Sequence, residues 1–481
     1  MQHTGRNILS LVVSRILSGI ILFFIYTRLV QYLGPQAAGQ YGLLASYLTV
    51  FNFFVDLGMS QLVIKKISED RANAGKYLTN FFAIQLGLGI FFMLIMDSTV
   101  LLSNYPMAVK QALYITGLAL VVMSLSLPFR AVIISFQRLT INAKVNFYNA
   151  VINGAMMLLA VLMRQSIFFL ALINIAVGFF DLLVYAWIVH RKFTPFKFDF
   201  DRKFIKLLFV WNLPFTFLTV FSIYNRIDGL LLPHLRNFVE TGYYAAAYKF
   251  WDTLAFIPGV IGVTLYPYFA EVLGKKLMGQ ARAGLETYSR YMIAVGLPMA
   301  AGAFLLAKPI TIAFFGREFE PAANALWLLV AAVAVLFIYT PANSLIISRL
   351  TRIATYITGL NLLFNLAANL ILIPRYGFVA AAAVTLASET IQLLGYTYFI
   401  KRRVLDYHFF RYFTKPAIAT ILMSLAIWLA RSMNVWIVIL VGGVVYAVCL
   451  LLLKFFHRQD WELFKNAANI RKELNPEEPI V

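Results

Sequence analysis

The sequence predicts an all-α polytopic membrane protein of about 14 transmembrane helices, and three observations carry that expectation. Hydrophobic residues make up 61% of the chain and charged residues only 13%, where soluble proteins have about a quarter charged. The apolar residues fall into runs long enough to cross a hydrocarbon layer of ~30 Å as helices. Sorting Lys and Arg onto alternate faces places 29 on one and 7 on the other. An odd number of helices would scramble that bias, which assigns both termini to the cytoplasm.

Taken in order, spans are expected at 8–30, 40–64, 78–97, 112–136, 146–163, 167–190, 207–233, 241–270, 288–307, 323–347, 353–373, 378–400, 416–430 and 434–453. The first run is too long for a signal-peptide core and lacks a small-residue cleavage site, so it reads as an uncleaved helix. Pro128, Pro214, Pro258, Pro267, Pro298 and Pro341 fall inside spans and predict bends. Segment 193–206 alternates aromatic and charged residues and reads as a cytoplasmic interfacial linker, with an anionic-lipid contact as the sharper alternative. The one cysteine, Cys449, lies in an apolar run, which excludes a disulfide framework and a thiol metal cluster. The net charge of +20 is spread over short loops as a topology signal and points away from nucleic acid.

A weak internal repeat sets the domain organisation. Leu33-Gly34…Gly39-Gln-Tyr41 opens the second span and Leu235-Arg…Gly242-Tyr-Tyr244 the eighth, an offset of 203 residues. Asn146, Asn149 and Asn153 in the fifth span parallel Asn361, Asn365 and Asn369 in the eleventh; Asp181 parallels Glu389. The expected plan is an N-lobe (1–192), the linker (193–206), a C-lobe (207–404), and two further helices with a cytoplasmic tail (405–481). Six-helix repeats share one orientation, so a pseudo-two-fold axis along the membrane normal relates them. A cavity is expected between the lobes, lined by the first and seventh helices.

Five basic residues remain inside spans: Arg15, Arg28, Arg130, Arg226 and Lys249. A charge in hydrocarbon is costly unless it faces protein or water. Arg28 lies near a helix end and can snorkel. Arg226 and Lys249 flank the 233–241 hairpin, each ~10–12 Å below the same membrane face at ~1.5 Å rise per residue. Arg15 and Arg130 sit ~9–10 Å from the opposite face by the same arithmetic. Asp56, Asp181, Asp228, Asp252 and Glu389 are the buried acids. They are candidates for structural charge pairs, notably Lys249–Asp252 or Arg226–Asp252, or for ion coupling. Tyr224, Tyr243, Tyr244 and Tyr248 lie near the expected cavity helices as substrate-stacking candidates, or alternatively form an interfacial aromatic belt.

Leu33-Gly34-Pro…Gly39-Gln-Tyr41-Gly and Asp56-Leu-Gly58-Met-Ser resemble the first repeat of polysaccharide-biosynthesis flippases of the multidrug/oligosaccharidyl-lipid/polysaccharide exporter superfamily. Arg226-Ile-Asp228…Gly242-Tyr-Tyr-Ala-Ala-Ala-Tyr-Lys249, with Pro258 and Pro267, resembles the second. Asn365-Leu…Leu372-Ile-Pro374-Arg-Tyr-Gly377-Phe-Val-Ala-Ala-Ala resembles the eleventh-to-twelfth helix junction. The resemblance implies a two-lobed transporter in the cytoplasmic (inner) membrane that flips polyprenyl-diphosphate-linked oligosaccharide for surface polysaccharide or O-antigen synthesis. A lipid II flippase and a cation-coupled multidrug exporter are the alternatives within the superfamily. Implied partners are that lipid-linked substrate, membrane lipids and polymerase or chain-length machinery, and a monomer is expected. Arg15, Arg130, Arg226, Lys249, Tyr224 and Tyr248 are the expected headgroup-binding set, since guanidinium groups pair bidentately with phosphate oxygens. No Walker-type loop occurs, so the energy source is expected to be H⁺ or Na⁺ coupling or product removal, with no cofactor. A membrane glycosyltransferase, polymerase or ligase needs catalytic residues on sizeable outer loops, and the longest here, 308–322, has about fifteen residues.

Overall fold

The computed structural model describes residues 2–196, 200–221, 224–407 and 409–456, with side chains from Leu17 onward except at 214, 217–225 and 409–410. Among these, every regular element is helical. Helix α1 (Gln2–Asp56) carries the first two spans and breaks at Gly34, where φ is 68°. Glycine takes this left-handed conformation without a Cβ clash, and Pro35 then suits the first turn of the second segment. Leu57 and Gly58, also at positive φ, bend the second span into α2 (Met59–Glu69). Helices α3 (Ala74–Leu102), α4 (Met107–Ser124), α5 (Leu127–Ser135), α6 (Leu139–Leu162) and α7 (Ile167–Lys192) complete the first lobe.

The second lobe repeats the plan with α8 (Arg202–Phe221), α9 (Tyr224–Leu235), α10 (Phe238–Leu254), α11 (Phe256–Gly274), α12 (Met278–Phe315), α13 (Ala323–Arg349) and α14 (Thr351–Arg403). α14 carries two spans broken at Gly377, φ 63°. α15 (Thr414–Leu429) and α16 (Val435–Leu452) pack on α12 through Ala294, Leu306, Ala419, Met423 and Ile427. Each of the expected spans falls on one of these helices, or on two joined across a bend. Among the described residues ten stretches are long and apolar enough to cross a membrane, and two of them, Leu17–Asp56 and Thr351–Arg403, each reach into two of the expected spans. Pro128 and Pro258 stand in the first turns of α5 and α11, just after the bends that divide the fourth and eighth spans. Pro298 and Pro341 lie inside α12 and α13, which run on past them.

Each lobe has its own apolar core. Leu29, Leu43, Leu113 and Ile173 fill one end of the first lobe, and Met59, Phe81, Phe129 and Tyr185 the other. Leu326, Leu329, Phe337 and Ile373, then Phe269, Leu285, Leu345 and Ile400, do the same in the second. The seventh span crosses between them. Its first half, α8, buries Leu208 in the first lobe's core, Lys66 Nζ lies 4.9 Å from the centre of the Trp211 ring, and Asn212 Nδ2 donates to Leu57 O at 3.0 Å.

On the face poor in Lys and Arg, here termed outer, the lobes meet backbone to backbone. A Cβ on Gly39 would overlap the Phe238 carbonyl, and one on Gly242 would overlap the Pro35 carbonyl. Both Phe238 and Gly242 lie 203 residues beyond their counterparts Pro35 and Gly39, so the repeat offset is also the register of a self-complementary helix crossing. In lipid, small residues allow such close approach and with it van der Waals and Cα–H···O contacts. Gly42 against Ala245 and Gly229 against Ser46 extend the contact inward.

Candidate functional site

Immediately inside this crossing lies a cavity of about 270 Å³ between the lobes. α9 and α10 line one wall with Arg226, Asp228, Tyr244, Tyr248, Lys249 and Asp252. α1 and α6 line the other with Tyr26, Tyr41, Ser46, Thr49 and Asn153. Among the described residues, charge therefore comes from the second lobe, and hydroxyls and an amide from the first.

The hairpin that presents the charges is tighter than the sequence suggests, because Asn237 Oδ1 accepts the Glu240 N–H at 2.9 Å and starts α10 with only two residues between it and α9. A side-chain acceptor at the N-cap satisfies a donor that the helix leaves open. Arg236 Nε donates to Glu240 Oε1 at 2.9 Å and its Nη1 to Pro374 O at 3.1 Å; Glu240 Oε2 accepts the Phe378 N–H at 3.1 Å. This brace ties the hairpin to the left-handed Gly377.

Arg226 Nη2 donates to Asp252 Oδ1 at 2.6 Å, and the guanidinium stacks 5.0 Å from the centre of the Tyr248 ring. Of the two pairings the sequence allows for Asp252, the cross-hairpin one forms. Lys249 has no carboxylate within ion-pair distance among the described residues; its Nζ lies 4.9 Å from the Tyr26 ring centre, across the lobe boundary. Both cations thus rest on aromatic faces, which supply attraction without neutralising the charge.

Behind this wall Asp228, 2% exposed, accepts the Tyr244 hydroxyl, the Gly229 N–H at 2.7 Å and the Thr385 hydroxyl at 3.4 Å. Glu389, 1% exposed, accepts the Tyr339 hydroxyl at 2.6 Å. Asn365 Nδ2 donates to Ser388 Oγ and Asn369 Nδ2 to Asn365 Oδ1, both at 2.9 Å. Of the asparagine stripe on α14, Asn365 thus bonds across to the second span, Asn369 bonds within its own span, and the Asn361 amide is buried without a hydrogen-bond partner. The second lobe therefore holds a polar seam leading away from the cavity.

Arg130 is placed elsewhere, within the first lobe, where its field reaches Asp56 and Asp181. Asp56 accepts the Ser60 hydroxyl at 2.5 Å and the Ser60 N–H at 3.1 Å. Asp181 Oδ1 is buried without a hydrogen-bond partner, and the neighbouring Tyr185 hydroxyl reaches Asn142 Oδ1 at 2.7 Å. The side chains of Arg15 and Tyr224 lie outside the described residues. Arg28 reaches along its own helix to Gln31 Oε1 at 3.1 Å. Gln31 in turn donates to Phe314 O at 2.8 Å, so the pair helps close the outer face.

The structure brings together Arg226, Lys249, Tyr248, Asp228 and Asp252. It adds Tyr26, Tyr41, Ser46 and Asn153, which sequence reasoning did not assign to a site. Asn153 Oδ1 is buried and has no hydrogen-bond partner. Its presence in the Asn146/Asn149/Asn153 ladder was a signal of polarity, but only the fold shows that Asn153 faces the cavity.

The fold has known counterparts. A chain titled lipid II flippase MurJ, in an inward closed conformation, superposes with a TM-score of 0.76 at 15% identity, covering 91% of this chain and 97% of that one. A multidrug resistance MATE family transporter in an inward-facing conformation gives 0.62 at 12% identity, over 80% and 94%. A transporter of the same superfamily from Pyrococcus furiosus, titled for the reverse polarity of its binding pocket, gives 0.58 at 10% identity, over 83% and 96%. At such identities the likeness is one of fold. An uncharacterized membrane protein of Methanocaldococcus jannaschii is 24% identical over 236 residues, 47% of this chain and 46% of that one, so the chain spans about half the length of this curated relative. The polysaccharide biosynthesis protein family model matches residues 4–273, more than half of the sequence, and the chain belongs to that family.

Proposed function

We propose that the chain carries polyprenyl-diphosphate-linked oligosaccharide from the cytoplasmic to the outer leaflet by alternating access of the inter-lobe cavity. The observation that carries this reading is the pairing of two cations, Arg226 and Lys249, on one wall with neutral hydrogen-bonding groups on the facing wall. A diphosphate bears about two negative charges, and moving it bare through hydrocarbon is prohibitive. Arg226 offers a fork for phosphate oxygens once Asp252 is exchanged, and Lys249 offers a point charge. Asn153 Oδ1, Ser46 and Thr49 line the facing wall and can accept from or donate to sugar hydroxyls. The cavity takes the diphosphate and adjoining sugar, while the polyprenyl chain stays in lipid. Asp228 and Glu389, buried among hydroxyls, are the groups assigned to H⁺ or Na⁺ coupling.

The test is translocation of a fluorescent oligosaccharide-diphosphate-polyprenol in vesicles containing the purified protein, read by the probe's accessibility to an impermeant quencher. Arg226→Gln with Lys249→Gln should slow it at least tenfold with the protein still folded in the membrane; an unchanged rate removes the pair from the mechanism. A lipid II flippase is the second reading, favoured by the 0.76 superposition over nearly the whole chain. Faster transport of lipid II than of the oligosaccharide-linked donor in the same vesicles would select it.

A further inference from the structure

A second cavity, of about 720 Å³, opens on the opposite, strongly basic face, where the linker passes the start of α3. Lys76, Arg202 and Lys203 line it together with Asn73, Gly75 and Thr194. It has no part in the inter-lobe chamber and goes beyond the function proposed above.

The described linker residues, 193–196 and 200–206, build the cavity by docking on the first lobe. Asp201 holds it there: its N–H donates to Asn80 Oδ1 at 2.9 Å and its Oδ2 pairs with Lys76 Nζ at 3.0 Å. Asp201 Oδ1 accepts the N–H groups of Lys203 and Phe204 at 3.0 and 3.1 Å, which caps α8. Phe193, Phe196 and Phe204 pack on the first lobe's core. Asp201, the one acid among the described lining residues, is therefore fully engaged, and it pairs only with Lys76. Arg202 and Lys203 are exposed and have no ion-pair partner among the described residues. No side chain caps α3, because Asn73 Nδ2 turns back to Asp70 Oδ2 at 2.7 Å.

The depth of the cavity identifies what reaches it. α3 begins four residues before the expected third span, so the cavity sits at the membrane boundary. Beside it Phe200 is 48% exposed, an apolar ring at the level of lipid headgroups. We propose that this cavity binds a phosphate-bearing anion, supplied as the headgroup of an anionic lipid in the adjacent leaflet. Basic side chains at such a surface gain affinity for anionic lipid of about fivefold per charge.

The experiment titrates the purified full-length protein in detergent with phosphatidylglycerol, with phosphatidylcholine as zwitterionic control, and counts bound lipid by native mass spectrometry. Phosphatidylglycerol should bind in preference, and Arg202→Gln with Lys203→Gln should weaken it about twentyfold while leaving phosphatidylcholine unchanged. Lys275→Gln with Lys276→Gln, basic residues of the other lobe, should leave both unchanged. Displacement by millimolar inorganic phosphate would assign the site to a free anion with the same chemistry. Phosphatidylglycerol binding within twofold of wild type in the Arg202/Lys203 variant, or equal binding of the two lipids, overturns the proposal. Translocation is not read, so failure here and failure of the flippase reading are distinguishable.

Discussion

At the scale of single residues, the informative contact is Arg226 with Asp252. Both side chains are one-third exposed to the cavity, so the pair is accessible to an incoming anion and is only partly shielded from water. Asp252 occupies the guanidinium fork that a phosphate would take. Asp252→Asn should therefore tighten binding of a diphosphate-bearing probe by up to about tenfold, or ~1.4 kcal/mol, and slow its release. Weaker binding in that variant, measured by equilibrium titration, would mean that Asp252 only supports Arg226. Gly377 makes a second residue-scale prediction. Its left-handed φ and its contact with the Glu240 carboxylate leave no room for a Cβ. Gly377→Ala should cost on the order of 1–3 kcal/mol through backbone strain, seen as a lowered midpoint in thermal unfolding. Little of this was legible in the sequence. Arg226 and Lys249 stand out because a charge in an apolar run is costly, but which carboxylate each meets depends on helix rotation. Arg130 stands out equally, yet its neighbours Asp56 and Asp181 come from helices distant in sequence, and no spacing rule places them together.

At the scale of elements, hydropathy located the spans well, because a helix that crosses lipid must satisfy its backbone internally and be apolar throughout. The bends were less visible. Pro128 and Pro258 mark two of them, whereas the turn at Leu57–Gly58 depends on positive φ values that composition does not reveal. The close crossing of α1 and α10 was half visible: the Gly39/Gly242 offset appeared as a repeat, without any hint that the two glycines touch. Gly242→Val should prevent that approach and hold the outer face apart. In a Cys449→Ala background, a cysteine placed at Ala245 should then label several times faster with an impermeant maleimide. Unchanged labelling would mean that neighbouring side chains alone keep the face shut.

For the whole molecule, the linker is the covalent route between lobes, and the structure anchors it by Asp201. The N–H of Phe204, together with the Lys76 ammonium, holds this carboxyl below its usual range. A depressed pKa means that the anchor's contribution is complete above the ordinary aspartate value near 4 and is lost as pH falls through the lower, folded-state value. At neutral pH the anchor is intact, so Asp201→Asn should loosen the linker and speed tryptic cleavage after Arg202 and Lys203. Equal cleavage rates would show that the aromatic contacts suffice. Charge asymmetry at this scale was hidden from the sequence. The described cations of the cavity come from the second lobe alone, so the two lobes, alike in fold, differ in chemistry where they face each other.

The glycine crossing on the pseudo-two-fold axis carries one more consequence. Because Gly39 meets the segment that begins at Phe238 and Gly242 meets the one that begins at Pro35, the contact is isologous in the sense of a symmetric dimer. Each half therefore carries a matching seam, and severed halves expressed together would retain the contact needed for reassembly.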